Sequence, residues 1–331
     1  MSLNMGLIGL GYWGPNYVRT LGNINNCNIA WCSDLDESRF GFLRNMNTKT
    51  TKDYREMLAD KSLDAVIVST STSTHYGIVR DVLEAGKHVL VEKPITVNSG
   101  EAEELVRMAK DRGLVLMVGH TFLFNAGIRK VRELVSSNAI GDIVYVHSQR
   151  TGLGPIRKDV NVLWDLAPHD ISIFLNIMGM PKRVIAKGRS FIRNDREDVV
   201  FLMMEFGNGI IANAHVSWTD PYKIRSLTVV GSKKMVVFDD VSNEHVKVFD
   251  KGVKYEAGDS FGEFKDIVRD GDVTIPKIAS KEPLRMECEH FLGCIENNKQ
   301  PISSGEDGVK VVKVLEAAAK SLESGGWIGV S

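Results

Sequence analysis

With 331 residues, 43% hydrophobic and 25% charged, the chain has the composition of a folded protein and exceeds the size at which one core keeps growing, so disorder is excluded and two domains are expected. Lysine and arginine number 41 against 42 for aspartate and glutamate, a formal net charge of −1, and no global field draws the chain to nucleic acid or an anionic membrane. An anionic ligand must therefore be held locally.

The 4 cysteines, Cys27, Cys32, Cys288 and Cys294, form no CxxC pair and read as reduced packing thiols. Met1 to Asn4 leads straight into the apolar run Met5 to Leu10 with no basic segment or cleavage-like site, and charges interrupt every stretch approaching the roughly 18 apolar residues of a membrane span. The expectation is a cytoplasmic protein.

From residue 4 to about 119, short apolar runs alternate with amphipathic stretches of helical period. Strands are predicted at 4–9, 27–33, 64–69, 87–91 and 114–118, and helices at 14–22, 36–46, 53–60, 75–85 and 99–112. The later strands are rich in Val, Ile and Leu on both faces, as in a parallel sheet covered on both sides, so a doubly wound α/β domain is expected over residues 1–120. Beyond Gly119 a helix at 125–137 precedes strands at 143–150, 184–189 and 199–206. Runs 210–217, 225–231, 234–239 and 245–249, separated by turn residues, read as an antiparallel meander. Helices at 285–297 and 307–323 close an expected α+β domain over 121–331 with a large antiparallel open sheet, the terminal helix being free to pack back between the domains.

Gly9-Leu10-Gly11-Tyr12-Trp13-Gly14 follows a strand and opens a helix, the arrangement that lets backbone approach a pyrophosphate and presents helix N–H groups to it. Pro15 suits the first helical turn. Asp34, at the end of the next strand, stands where a carboxylate meets the adenosine ribose hydroxyls, which favours NAD over NADP unless Arg39 turns inward to take a 2′-phosphate. Glu92-Lys93-Pro94 ends a central strand, the edge where open α/β sheets bind ligands. A lysine beside the cationic nicotinamide is a candidate acceptor of a hydroxyl proton. Asp165 and His169, four apart, share a helix face, so that the carboxylate could orient the imidazole.

These residues, with Ser71-Thr72-Ser73-Thr74-His75-Tyr76 and Asp165-Leu166-Ala167-Pro168-His169-Asp170, make the whole chain resemble the glucose-fructose oxidoreductase and inositol dehydrogenase family, also called Gfo/Idh/MocA. The resemblance implies an NAD-binding Rossmann domain whose cofactor contacts fall on Gly9, Gly11, Tyr12, Trp13, Gly14, Asp34, Ser69, Thr70, Thr74, His75, Glu92 and Lys93. It implies a proton relay of Lys93, His169 and Asp165. Ala167 stands where glycine is usual and Ser172 where a second acid often follows, which leaves the part of Asp170 open.

The tract from Arg150 to Trp164 resembles the nucleotide-sugar dehydrogenases of the family, UDP-N-acetylglucosamine 3-dehydrogenases among them. Arg150, Arg157 and Lys158 could clamp a diphosphate, or form a solvated basic loop. Asn161 could bond sugar hydroxyls, and Trp164, Asp165, His169 and Lys93 complete the expected substrate set. Trp218 reads as core packing more than as a stacking surface. No metal is expected, since the His and carboxylate residues lack a matching ligand cluster and hydride chemistry on an alcohol needs none. The family's habit of associating through its sheet implies a homodimer or homotetramer. Dehydrogenases of free polyols and a non-enzymatic NAD-binding regulator are the competing readings; a regulator would need neither Lys93 nor His169.

Overall fold

The computed structural model describes every residue except 1, 45, 158, 193, 258–263 and 280. By its internal packing the chain forms two compact units, Met1–Phe124 with Lys281–Glu316, and Asn125–Ser280 with Ala317–Ser331. The single boundary expected at residue 120 is thus corrected for the segment 281–316, which returns to the first unit.

In the first unit, β1 (Leu3–Ile8), α1 (Gly14–Leu21), β2 (Cys27–Ser33), β3 (Lys49–Thr51), α2 (Tyr54–Leu58), β4 (Ala65–Val68), α3 (Thr72–Glu84), β5 (His88–Glu92), α4 (Ser99–Asp111) and β6 (Leu116–Gly119) follow in sequence. The six strands are parallel in the order β3-β2-β1-β4-β5-β6, so the order reverses between β1 and β4, the crevice at which such sheets bind ligands. The core lies along β4 and β5, whose Ala65, Val66, Ile67, Val68, Val89, Leu90 and Val91 are fully buried.

Two local expectations change. The stretch expected as a helix over 36–46 is a 3-10 helix, Glu37–Leu43, started by Asp36 accepting from the Ser38 N–H; only Leu43 in it is buried, so no packed face sustains a longer α-helix. Strand β3 is three polar residues long and carries no periodic signal.

In the second unit, α5 (Ala126–Ser136), β7 (Ile143–Thr151), α6 (Val162–Met178), β8 (Arg183–Arg189), β9 (Val199–Glu205), β10 (Ile211–Ser217), β11 (Ile224–Gly231), β12 (Met235–Asp239), β13 (Val246–Phe249), β14 (Gly252–Ala257), β15 (Phe264–Arg269) and β16 (Val273–Thr274) follow. Helices α7 (Pro283–Asn297) and α8 (Gly305–Ser324) and strand β17 (Ile328–Gly329) end the chain. Nine strands form one sheet in the order β16-β13-β12-β11-β7-β10-β9-β8-β17, while β14 and β15 form a separate hairpin. The expected meander holds for β11, β12 and β13. It fails between β10 and β11, because β7 lies between them and runs parallel to β10, making the sheet mixed. The linear pattern of hydrophobic residues carries no mark of that insertion. Helix α6 covers one face of β7, β9 and β10.

The segment 281–316 is built into the first unit by α7 packing on α1 and by a backbone bridge from Ser304 to Met117 of β6. Asn26 donates to Glu296, Thr121 to Glu287, and Ser99 to Glu316.

Candidate active site

Two of the three glycines of the first βα turn are required by the fold itself. Gly9 has φ +93°, and a Cβ there would meet the Ser69 backbone at 2.8 Å; a Cβ on Gly14 would lie 2.6 Å from the Gly9 carbonyl oxygen. Both are demanded by the turn itself. At Gly11 the nearest atom is the far end of the Arg39 side chain at 3.2 Å, so nothing rigid in the first unit forbids a side chain there. A bare backbone beside a helix start is a cradle for a phosphate. Helix α1 has no side-chain cap and carries Pro15 in its first turn, which leaves its first N–H groups to such a ligand. Tyr12 on this loop is 79% exposed and meets Trp13 edge to face.

Asp34 follows β2 and folds back onto the loop: its Oδ2 accepts from the Leu10 N–H at 2.6 Å and its Oδ1 from the Asp36 N–H at 2.9 Å. Arg39 lies against this carboxylate at 3.5 Å and against Asp36 at 3.4 Å. The arginine that could have met a 2′-phosphate is therefore shared between two acids.

The turns after β4 and β5 are laced to the glycine loop. Ser69 Oγ donates to the Gly9 carbonyl at 2.7 Å, and Thr74 Oγ1 to Thr70 Oγ1 at 2.8 Å. The buried His75 ring faces the Pro94 carbonyl at 2.9 Å with Nδ1 and the Thr70 carbonyl at 3.2 Å with Nε2, fastening the two turns together. Glu92 accepts from the Tyr17 hydroxyl at 2.8 Å and from the Lys93 backbone N–H at 3.2 Å. Lys93 is 8% exposed. Every residue expected to touch the cofactor thus lies on the carboxyl edge of one parallel sheet.

His120 stands just past β6. It is buried with no hydrogen-bond partner for either ring nitrogen among the described residues, and burial pushes it down to about 4, with Lys93 adding to the shift and Asp307 opposing it.

In the second unit, Asp165 and His169 sit four apart on α6, whose start is capped by Asn161 Oδ1 accepting from the Trp164 N–H at 3.2 Å. The Asn161 amide also donates to Glu197 at 2.7 Å, so its expected sugar contact competes with a helix cap and a carboxylate. Asp165 accepts from the Trp218 indole N–H at 3.2 Å and lies 3.5 Å from Arg157, which also forks onto Asp159. Trp218 is buried, as expected, and its indole N–H fixes the carboxylate meant to orient His169. A tryptophan far along the chain gives no local sign of that role. Trp164 is half-buried.

Arg150 changes most from the expectation. It lies at the end of β7, 6% exposed, with Nε 2.8 Å from Asp170 Oδ2 and Nη2 3.2 Å from Oδ1. A guanidinium forked onto a buried carboxylate is a brace between β7 and α6 and would have to break that pair to clamp a phosphate. Asp170, left open by the sequence, is its partner. Arg157 keeps partial exposure, and Lys158 lies outside the described residues. Among the described residues no three His, Cys, Asp or Glu side chains gather as a metal-ligand group, and no helix is long and apolar enough to cross a membrane.

Comparison with known proteins matches this architecture twice. The oxidoreductase-family model described as an NAD-binding Rossmann fold covers residues 3–120, and the Gfo/Idh/MocA C-terminal domain model covers 128–237. Myo-inositol 2-dehydrogenase of Thermotoga maritima is 27% identical, with 97% of this chain and 96% of that protein covered. UDP-N-acetylglucosamine 3-dehydrogenase of Acidithiobacillus ferrooxidans is also 27% identical, with 96% of each covered. The solved structure of the latter superimposes with a TM-score of 0.82 over 98% of both chains at 24% identity, a likeness of fold. With both family domains matched in order, and with the glycine cradle, Asp34 and Lys93 on one sheet edge, the chain is an oxidoreductase of the Gfo/Idh/MocA family and its residues 3–120 are that family's NAD-binding Rossmann fold.

Proposed function

We propose that the protein oxidises a secondary hydroxyl of a sugar, a UDP-linked sugar at C3, with NAD as hydride acceptor. The observation that carries the dehydrogenase reading is Lys93, buried at the sheet edge that also holds the glycine cradle and Asp34. NAD fits this edge through its diphosphate at Gly9 to Gly14 and its adenosine ribose at Asp34. Bound there, NAD would supply the hydride acceptor for oxidation of the carbinol. The chain's own residues take the hydroxyl proton: Lys93 Nζ or the His169 imidazole receives it, and Asp165, itself set by Trp218 and Arg157, stands one helical turn before His169 on the same helix.

The nucleotide-sugar reading rests on Arg157, a partly exposed cation beside the start of α6, and on the likeness to a UDP-sugar dehydrogenase. An equal likeness to an inositol dehydrogenase keeps free polyols as the second reading. Melting NAD-loaded protein against UDP-sugars, free hexoses and inositols separates them, since a ligand at ~100 times its dissociation constant stabilises by about 2.7 kcal/mol. UDP-sugars are expected to raise the melting temperature most; a response to inositols alone overturns the nucleotide-sugar reading.

The open face of the nine-stranded sheet supports a homo-oligomer. Tyr145, Ile211, Met203 and Phe201 are exposed on it in successive cross-strand rows, with Phe201 stacked 4.2 Å from His215. Light scattering should give a multiple of the monomer mass, reduced by Phe201→Glu; a monomeric wild type contradicts this.

A further inference from the structure

Behind the Glu92–Lys93 turn, the first unit buries a second acid. Glu287 on α7 is 0% exposed; its Oε2 accepts from Thr121 Oγ1 at 3.0 Å, and its Oε1 has no hydrogen-bond partner among the described residues. It stands at a core position of an amphipathic helix, between Leu284 and Phe291, where an apolar residue would be expected. Helix α7 packs on α1, which carries Tyr17, and on the 3-10 turn Thr121–Phe124. Tyr17 feels both acids, and its hydroxyl donates to Glu92.

We propose that Glu287 is a positioning residue for Lys93: an acid kept protonated so that the buried pair Glu92–Glu287 carries one negative charge, held on Glu92 directly before Lys93. The proposal deepens the dehydrogenase reading and rests on it for the part played by Lys93.

The hydrogen bonds decide which acid is ionised. Glu92 receives at least two donors, the Tyr17 hydroxyl and the Lys93 backbone N–H, and donors favour the charged form of a carboxylate. Glu287 has a single hydroxyl donor, which only partly offsets its full burial, and burial favours the neutral form. Two buried carboxylates in electrostatic contact do not both ionise at neutral pH. Burial first, then the Glu92 charge, push Glu287 well above its ordinary value, while Thr121 opposes the shift. Titratable groups near the pair include Lys93, His120 beside Thr121, and Tyr17 on α1 and Cys288 on α7, the last two held neutral by burial. An uncharged Glu287 leaves the single charge of the pair on the carboxylate that accepts the Lys93 backbone N–H and so holds the turn on which Lys93 stands.

Infrared difference spectra of wild type against Glu287→Gln test this without any substrate. A carboxylic C=O band absent from the variant is expected at neutral pH, fading only at higher pH. In Glu92→Gln, loss of the like charge should move that fading down by about one pH unit, the scale at which two sites titrate as a pair. No such band at neutral pH, or a titration indifferent to Glu92→Gln, overturns the proposal. In NADH formation, Glu287→Ala should lower kcat about tenfold with NAD affinity kept, and Glu287→Gln should restore it; equal loss in both variants also overturns it. Absence of turnover in the wild type on every sugar and polyol would be a failure of the dehydrogenase reading, and the infrared result then judges the acid pair by itself.

Discussion

The glycine edge of the first unit and the basic tract at the start of α6 were both read as places for phosphate, and they are built from opposite materials. The edge is made of backbone: Gly9 and Gly14 are fixed by the turn, and Gly11 is left bare. The tract is made of side-chain charge, and in the folded unit Arg150 is spent on Asp170, while Arg157 divides itself between Asp159 and Asp165. A backbone site is written into sequence by spacing. A charged site is not, because whether an arginine faces a ligand or an internal acid depends on residues distant in the chain.

Substitution should separate the two arginines sharply. Arg150→Met leaves Asp170 buried and unpaired, and a loss of about 3–5 kcal/mol is expected in denaturant unfolding. Arg157→Met touches partly exposed pairs and should cost about 1 kcal/mol, while raising the KM for a UDP-sugar and removing part of its salt dependence. Equal destabilisation by the two would erase the distinction.

The glycine edge carries a pH signature of its own. His120 titrates ordinarily near 6.5 and in the fold at about 4, so the unfolded chain binds its proton first. Stability from this group is complete above 6.5 and lost as pH falls through 4, by roughly 3 kcal/mol. Glu287 acts in the opposite direction: its folded value is raised above 4.5, so stability falls as pH rises from there toward that value. His120→Gln should flatten the acid side of the stability curve and Glu287→Gln the alkaline side, both measurable by thermal melting across pH. Smaller still, Asn161→Ala removes the cap of α6 and should cost about 1 kcal/mol.

The same contrast governs what could be read in advance. The parallel sheet, five of its six strands and the glycine turn were legible because periodicity and glycine spacing are local. The placement of β7 between β10 and β11, the return of 281–316 to the first unit, and the Trp218–Asp165 bond were not, since each pairs segments far apart with no mark in either. Glu287 left a faint sign, an acid in the apolar stripe of α7. Asp34 was legible, and it makes a specific claim: NAD should bind more tightly than NADP, and Asp34→Ala should narrow the difference in a titration of both.

The central claim is that Lys93 and His169 move a proton for a hydride transfer to NAD. NADH formation by Lys93→Met, His169→Ala and the double variant, beside NAD affinity and melting temperature, tests it most directly. Each single variant should lose ~10²- to 10⁴-fold in kcat, about 3 to 5 kcal/mol of barrier, with folding and NAD binding intact. The double variant should lose less than the sum, because members of one relay act as a unit. Turnover near wild type in both single variants would contradict the assignment.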